Sequence, residues 1–191
     1  KNKKYFVFEG IGSVDDRERI SHEWLQAKQR SKELRFLARP FTSKIEEGTR
    51  TFYLIKDKAI LGFCTFDPIF SPAPSLPQYV LQFLRLSSDA PNGAGDCLLT
   101  NSLLLLKDEG ISSVSLGLSP LYAMDNHKFK SNRSIENIFG FLKNSKYLYH
   151  FRDLGKHKER YHGRKVQTFL ATPKKFRLRT IPGLFKVNNL L

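Results

Sequence analysis

The residues best suited to chemistry lie in one short stretch, RLSSDAPNGAGD, which runs from Arg85 to Asp96. Gly93 and Gly95 allow a ligand to approach the backbone closely, and Asn92 tolerates unusual backbone angles. If a helix follows, the free backbone N–H groups at its N-terminus can hold an anion or a developing oxyanion. A Gly-Ala-Gly sequence before a helix is equally typical of a tight turn with a helix cap, so the stretch alone leaves both interpretations open.

The segments on either side predict the elements that position this stretch. The apolar run from Tyr79 to Leu86 (YVLQFLRL) is typical of a buried strand. The leucine-rich run from Cys97 to Leu106 is typical of a buried helix, and Gly110 closes it. The sequence therefore predicts a strand, a glycine-bearing loop and a helix in succession.

The rest of the chain predicts an α+β fold. Ser13, followed by acidic residues, favours a capped helix that continues toward Leu34. The four prolines between Asp67 and Pro77 predict a loop. The other predicted elements are a short strand within KKYFVFEG, a hairpin of strands 50–56 and 59–66 around Asp57-Lys58, a strand at 114–118, helices at 133–144 and 149–161, and a last strand at 165–171.

This order of elements predicts a mixed, mostly antiparallel sheet flanked by helices. The order resembles the Gcn5-related N-acetyltransferase fold, in which a pyrophosphate-binding loop lies between the fourth strand and the following helix. The glycine-bearing loop after Leu86 occupies the corresponding place in this chain.

The positive charge of the chain is concentrated in its last third. The formal net charge is +14 at pH 7. Residues 1–125 contain 16 Lys or Arg against 15 Asp or Glu, whereas residues 126–191 contain 16 against three. Since a solvated face normally mixes both signs, this charge favours a polyanionic partner, either RNA or an anionic membrane surface. A basic tail that only maintains solubility is the alternative.

Composition limits the class of protein. The 191 residues, 40% of them hydrophobic and 13% aromatic, are enough for one packed domain with or without an extension. No apolar run approaches the roughly 20 residues of a membrane span, so we expect no transmembrane segment in this chain. Cys64 and Cys97 lie in apolar runs without metal-ligand spacing and are expected to be buried, reduced thiols of a cytoplasmic protein, with a disulfide between them as the alternative. The chain begins at Lys1 rather than Met, and we expect it to be a fragment of a longer protein.

Several motifs, in order, resemble one family. The string RLSSDAPNGAGD, the helix after it and SLGLSPL (Ser115 to Leu121) look like the C-terminal domain of bacterial phosphatidylglycerol lysyltransferases. YHFRDLGKHKERY, from Tyr149 to Tyr161, resembles the second signature of that family. ISHEWLQAK (Ile20 to Lys28) is similar to its linker helix, and FDPIF (Phe66 to Phe70) also fits. The resemblance extends from about Ile20 to Pro173, and it includes the fungal sterol-aminoacylating module that is fused to an aspartyl-tRNA synthetase.

The resemblance implies an aminoacyltransferase. An aminoacyl-tRNA donates its amino acid to the hydroxyl of a lipid, either phosphatidylglycerol or a sterol. The aminoacyl-tRNA is a co-substrate, and the family implies no cofactor, neither a metal nor coenzyme A. The implied partners are the tRNA, a lipid acceptor at a membrane surface, and upstream either a second acetyltransferase-like half or a fused tRNA synthetase. The expected location is cytoplasmic and peripheral at the membrane.

The sequence departs from the bacterial pattern in two ways. Bacterial members have an aspartate three residues before the motif arginine, where this chain has Gln82, so lysine as donor and aspartate-based catalysis are both in question. Bacterial members also have two acetyltransferase-like halves, and this chain contains only the second. We therefore expect a strand and linker helix at residues 1–40, an acetyltransferase-like catalytic domain at 41–173 and a basic tail at 174–191.

Roles for the residues of the first signature follow from their types and from the resemblance. Arg85 is a candidate to clamp the tRNA 3′ phosphate or the aminoacyl carbonyl, or else it forms an ion pair with Asp89 or Asp96. Asp96 either caps the helix or recognises the α-ammonium of the donor. Asp89, Asn92, Gly93 and Gly95 are predicted to help to bind the aminoacyl end of the tRNA.

The second signature adds three candidates. By resemblance Lys158 is a functional lysine, which would stabilise a tetrahedral oxyanion, or else it is one basic surface residue among many. Arg160 would contact phosphate. His150 is a candidate general base for the lipid hydroxyl, or else a packed core residue. His157 and His162 have no acid or cysteine at ligand spacing, so we predict no metal site.

Two other functions remain open at this stage. An acetyl-coenzyme A-dependent N-acetyltransferase fits the order of elements, but Ala90 stands where the usual pyrophosphate-loop signature has Arg or Gln. A non-catalytic RNA- or membrane-binding module fits the tail PKKFRLRTIPGLF, which mixes basic and apolar residues.

Overall fold

The computed structural model describes residues 5–27, 39–70, 77–120, 122, 140, 151–168 and 183. The chain divides into two compact units, residues 1–117 and 118–191. The first unit contains the whole of the described sheet, and the second contains one described helix of nine residues. The domain boundaries expected after residues 40 and 173 stay a prediction.

The described strands and helices follow one another in the predicted order. The strand β1 pairs with the following hairpin, so the N-terminal strand belongs to the same sheet as the strands after it. The elements are β1 (Phe6–Glu9), α1 (Val14–Gln26), β2 (Arg50–Lys56), β3 (Ala59–Pro68), β4 (Gln78–Leu86), α2 (Ala94–Asp108), β5 (Ser113–Ser115) and α3 (Phe151–Glu159).

The sheet has five strands in the order β1-β2-β3-β4-β5. The first four strands pair antiparallel, and β5 pairs parallel with β4. The hairpin turn between β2 and β3 is the predicted Asp57-Lys58 pair, with positive φ angles of 49° and 71°. Positive φ at both central residues matches the right-handed twist of the strands, which is why this turn closes the hairpin.

The helices α1 and α2 cover opposite faces of the sheet. On one face, Ile20 of α1 packs in a core cluster with Tyr53, Phe63 and Phe83. On the other face, α2 buries Leu98, Leu99, Ser102 and Leu106, and the Ser102 hydroxyl lies 3.2 Å from the Cys64 sulfur. Alternate residues of a strand point to opposite faces, so at the end of β4 Phe83 and Arg85 face α1, whereas Leu84 and Leu86 face α2.

Several predicted boundaries are confirmed. Ser13 caps α1 by accepting a hydrogen bond from the Asp16 N–H, and Gly110 follows α2 with a φ of 83°. Cys64 and Cys97 are both free thiols, the first buried and the second half-buried. The predicted continuation of α1 toward Leu34 and the helix at 133–144 lie outside the described residues, apart from a helical Gly140.

Two strand predictions need correction. The strand expected at 114–118 spans only Ser113–Ser115, where it pairs with β4. Residues 165–168, expected to begin a last strand, are irregular. Val166 is 71% exposed, so the alternating sequence that suggested a strand has no buried face there.

Candidate functional site

The loop that joins β4 to α2, residues 87–93, is the predicted strand–loop–helix connection. Gly93 is the N-cap of α2 and has a φ of 84°, which a residue with a side chain rarely adopts. Among the described residues, apart from the chain neighbours of Gly93, no atom lies within 4 Å of where a Cβ at Gly93 would stand, so the requirement for glycine is conformational. Gly93 provides no side-chain hydrogen bond to the helix N-terminus.

Arg85 lies at the end of β4 and is buried, with 3% of its surface exposed. Its guanidinium stands 4.9 Å from the ring centre of Trp24, 4.4 Å from that of Phe41 and 4.7 Å from that of Phe83. It also donates a hydrogen bond to the Ser21 hydroxyl. Its described contacts therefore include one hydroxyl and three aromatic rings.

This arrangement fixes the orientation of a cation inside a largely apolar layer. Aromatic faces attract a guanidinium through the ring quadrupole, and the attraction grows when water is excluded. Two of the ring partners come from α1 and from the 39–49 segment, so the helix that covers this face of the sheet also helps to hold the arginine. Only the Arg85 position itself was identified from the sequence, because Ser21, Trp24 and Phe41 are remote from it along the chain.

Glu23 of α1 attaches the 87–93 loop to the helix. Its carboxylate accepts hydrogen bonds from the Ser88 backbone N–H at 3.0 Å and from the Ser88 hydroxyl at 3.3 Å. The bond from the Ser88 N–H lowers the pKa of Glu23, and the hydrogen bond from Arg19 acts in the same direction. The sequence analysis did not identify this contact, which sets the position of the loop relative to α1.

Gln82 lies at a β-bulge in β4. Thr65 pairs with Phe83, and the next residue of β3, Phe66, pairs with Leu81, so the pairing passes over Gln82. A bulge bends its strand and redirects a side chain. The residue that departs from the bacterial pattern therefore lies at an irregular position of the strand that carries Arg85.

The other predicted residues of the first signature take different places. Asp89 and Asn92 are exposed in the loop. Gly95 and Asp96 lie in the first turn of α2, and Gly95 faces Leu84 and Leu86 of β4. The helix begins earlier than predicted, so Gly93 rather than Asp96 is its N-cap. Asp96 in the first turn still complements the positive end of the helix dipole.

In the second unit, Lys158 is the most unusual of the predicted residues. It lies near the end of α3, is half-buried, and donates a hydrogen bond of 2.8 Å from Nζ to the Leu118 carbonyl. Burial lowers the pKa of Lys158 to about 8, because an ammonium is less favourable away from water. A cation with a pKa near neutrality suits a group that stabilises developing negative charge.

The remaining predicted residues of this unit are less constrained. Arg160 is exposed in the turn after α3, and one of its nitrogens lies 2.6 Å from Nδ1 of His157. The His157 ring packs edge-on against Tyr161. His150 lies outside the described residues. In the part of the chain that the structure describes, no three His, Cys, Asp or Glu side chains are grouped to hold a metal ion.

The family follows from a comparison with known protein families. The model of the family described as "Phosphatidylglycerol lysyltransferase, C-terminal" matches residues 11–172. The chain belongs to this family. The match includes both signature segments on which the resemblance depended, the one around Arg85 and the one around Lys158.

The relatives that this chain resembles agree with that assignment. The phosphatidylglycerol lysyltransferase of Bacillus subtilis (strain 168) is 28% identical over 151 residues, which are 78% of this chain and 16% of that protein. Among solved structures, L-PGS from Bacillus licheniformis superposes with a TM-score of 0.61 at 22% identity, over 84% of this chain and 48% of that one. The chain thus spans about a sixth of the length of the first relative and about half of the second.

The predicted fold class is confirmed. The family domain has an α+β, Gcn5-related N-acetyltransferase-like fold, with a five-stranded mixed sheet flanked by helices. None of the described helices of this chain is both long and apolar enough to cross a membrane.

Proposed function

We propose that this chain is part of an enzyme that transfers an aminoacyl group from an aminoacyl-tRNA to the hydroxyl of a lipid, either phosphatidylglycerol or a sterol. The observation that carries the proposal is the family match over residues 11–172. The charge of residues 126–191 supports it, since 16 basic residues against three acidic ones attract both a tRNA and an anionic membrane surface. On this proposal the protein acts at the membrane surface as a peripheral protein.

The reaction exchanges one ester for another. The lipid hydroxyl oxygen attacks the carbonyl carbon of the aminoacyl ester, and its proton passes to a base. The new carbon–oxygen bond forms as the bond from the carbonyl carbon to the ribose oxygen breaks, and the proton ends on that ribose oxygen. Negative charge develops on the carbonyl oxygen in the tetrahedral intermediate, so a donor or a cation fixed near this oxygen lowers the barrier.

Lys158 is our candidate for that cation. Its pKa of about 8 keeps it mostly protonated at pH 7, and its partial burial makes the charge more effective than an exposed one. His150 is retained as the candidate base for the lipid hydroxyl, and Arg160 as a phosphate contact.

For Arg85, the surrounding rings favour a positioning role. A guanidinium with 3% of its surface exposed is poorly placed to meet a phosphate in solvent. Its fixed orientation instead holds the end of β4, where the 87–93 loop begins. On this proposal Asp89, Asn92, Gly93, Gly95 and Asp96 form the part that meets the aminoacyl end.

An acetyl-coenzyme A-dependent N-acetyltransferase is the second candidate, and the fold favours it. The strand–loop–helix connection with Gly93 at the N-cap of α2 is the kind of anion-binding terminus that a pyrophosphate needs. The donor therefore distinguishes the two candidates.

The test offers both donors to the full-length protein that contains this chain. Labelled aminoacyl-tRNAs, prepared with each of the common amino acids, are supplied with vesicles that contain phosphatidylglycerol or a sterol, and labelled acetyl-coenzyme A is supplied in parallel. The proposal expects label in the lipid fraction from at least one aminoacyl-tRNA. Transfer from acetyl-coenzyme A alone would replace the proposal by the second candidate.

A further inference from the structure

The strand β1 forms one edge of the sheet. In the part of the chain that the structure describes, it pairs with β2 on one side and with no strand on the other. The Gly10 N–H donates to the Thr51 carbonyl at 3.1 Å, and antiparallel pairing repeats such bonds at every second residue, so the even-numbered residues of β1 direct their backbone groups toward β2. The N–H and C=O groups of Val7 and Glu9 therefore point outward, where an added strand can bond to them.

Exposed apolar side chains accompany this open edge. The exposed fractions are 60% for Phe6, 37% for Phe8, 75% for Ile11 and 46% for Val14, and we call these four residues the β1 surface. The Phe8 ring stacks on that of Tyr53 at 5.4 Å, and the Tyr53 hydroxyl donates to the Ile11 carbonyl at 2.7 Å, so the strand and the loop after it meet on the α1 face of the sheet. Apolar side chains beside unpaired backbone groups are typical of a surface that another strand covers.

The edge lacks the features that usually prevent such pairing. Proteins protect an edge strand with lysine, proline or a bulge. The sequence of β1, FVFE, contains neither lysine nor proline, and its pairing with β2 is regular over all four residues. The charge of Glu9 is already neutralised, because its carboxylate accepts a hydrogen bond of 2.6 Å from Nε of Arg50. An extended strand is therefore the partner that fits this edge.

We infer that β1 pairs antiparallel with β1 of a second copy of this chain, about a twofold axis at Val7. In this register the two Val7 residues exchange backbone hydrogen bonds, and Phe6 lies opposite Phe8 of the second copy on both sides of the axis. These phenylalanines occupy the non-hydrogen-bonded positions, where cross-strand side chains come closest. A twofold interface requires a surface that complements itself, and the spacing of Phe6 and Phe8 meets that requirement.

The charges on the opposite face of β1 agree with this register. Tyr5, Val7 and Glu9 alternate with the two phenylalanines and lie on that face. The Lys56 ammonium stands 5.2 Å from the centre of the Tyr5 ring and has no ion pair with a described residue. Since Tyr5 lies opposite Glu9 of the second copy, each Lys56 comes near a carboxylate of the other copy. The inference does not depend on the proposed function, because it uses only the edge of the sheet.

Sedimentation velocity of the full-length protein that contains this chain, over a range of protein concentrations, tests the association. We expect a species with twice the mass of one copy at the higher concentrations. Phe6→Lys should weaken the association by at least about tenfold, since each dimer loses two buried phenylalanines. Phe6 is 60% exposed, so the variant keeps the core, and circular dichroism checks its fold. The matched control is Phe70→Lys, which removes a phenylalanine that is 87% exposed outside the β1 surface and should leave the association unchanged.

Disulfide trapping tests the register. Two residues opposite each other in a hydrogen-bonded antiparallel pair have Cα atoms about 5.5 Å apart, within the range of a disulfide. Val7→Cys, made together with Cys97→Ser, should therefore form a disulfide between copies under mild oxidation, measured on a non-reducing gel. Cys97→Ser alone gives the background, and Phe70→Cys with Cys97→Ser reports random collision of an exposed thiol.

Three results would overturn the inference. Sedimentation as one copy at every concentration would mean that β1 is covered by another strand of the same protein or by a different protein. A dimer that Phe6→Lys does not weaken would mean that the copies meet elsewhere. Cross-linking of the folded Val7→Cys variant that does not exceed that of Phe70→Cys would exclude the pairing at Val7.

Discussion

The Arg85 guanidinium is a buried cation held by the Ser21 hydroxyl and by three aromatic rings. Lysine has a point charge and no planar face, so it cannot stack on these rings in the same way. We expect Arg85→Lys to lower the free energy of unfolding by about 2 kcal/mol, measured by urea denaturation.

Arg19→Lys is the matched control for this prediction. Arg19 lies on the exposed side of α1, with 44% of its side chain exposed, and its ion pairs with Asp16 and Glu23 are open to water. We expect it to change the free energy of unfolding by less than about 0.5 kcal/mol. Equal losses for the two variants would mean that the rings around Arg85 do not contribute to stability.

Lys158 allows a prediction about pH. Burial lowers its pKa from 10.5 to about 8, so between these values the unfolded chain binds a proton that the folded chain has released. Stability contributed by this group therefore rises as the pH increases from about 8 to about 10.5. Lys158→Met should flatten that rise, measured by urea denaturation at pH 7.5, 9 and 10.

Lys156→Met serves as the control, because Lys156 is exposed on the same helix. It should leave the pH dependence unchanged. If the free energy of unfolding of Lys158→Met depends on pH in the same way as that of the original chain, the ammonium of Lys158 is not held away from water.

At the scale of single residues, the sequence identified Arg85 and Lys158 but not their surroundings. The residue types and the resemblance were enough to select them. The contacts of Arg85 join positions that are 64 residues apart in the case of Ser21, and no local pattern encodes such a pairing.

At the scale of elements, Glu23 connects α1 with the 87–93 loop. Glu23→Gln keeps the shape of the side chain and removes its charge, so the bond from the Ser88 N–H weakens. We expect amide hydrogen exchange in residues 87–93 to become about fivefold faster at pH 7, equivalent to about 1 kcal/mol. Hydrogen–deuterium exchange with mass spectrometry measures it.

The pH dependence of exchange in the original chain gives a second measurement of the same contact. The pKa of Glu23 is lowered, so the contact is present at neutral pH and is lost as the pH falls through that lowered value. Glu18→Gln is the control, since Glu18 lies on the same helix and accepts from Ser43 instead. Faster loop exchange in Glu18→Gln as well would show that the effect is not specific to Glu23.

Elements with a strong local signal were predicted well from the sequence. The hairpin 50–66 combines alternating apolar residues with a two-residue turn, and α2 combines a leucine-rich run with a terminal glycine. Residues 165–168 show the limit of such patterns. Alternation predicts a strand only where a neighbouring strand and a core are available to cover one face, and Val166 is exposed.

At the scale of the whole molecule, the charge of residues 126–191 predicts salt-dependent binding of tRNA. Replacing Lys174, Lys175, Arg177 and Arg179 by Gln removes four of its 16 basic residues. We expect the slope of log affinity against log salt to become less negative by about 0.7 to 0.9 for each lost phosphate contact. Filter binding of a charged tRNA between 50 and 200 mM salt, roughly the range in which such effects are large, measures the slope.

Four basic residues of the first unit provide the comparison: Arg19, Lys56, Lys58 and Lys107. Their replacement by Gln removes the same amount of positive charge from the part of the chain in which basic and acidic residues are nearly equal in number. An equal change of slope in both variants would mean that the affinity for tRNA depends only on the net charge of the protein.

The central claim is that an aminoacyl group passes from tRNA to a lipid hydroxyl, and a single-turnover experiment tests it most directly. The full-length protein, in excess over a tRNA charged with a radiolabelled amino acid, is mixed with vesicles, and the label is followed in the tRNA, the lipid and the free amino acid. The account predicts that label leaves the tRNA and enters the lipid in equal amounts, and that prior ribonuclease treatment abolishes the transfer. Label that leaves every charged tRNA only as free amino acid, or does not leave it at all, while the protein is folded, would contradict the account.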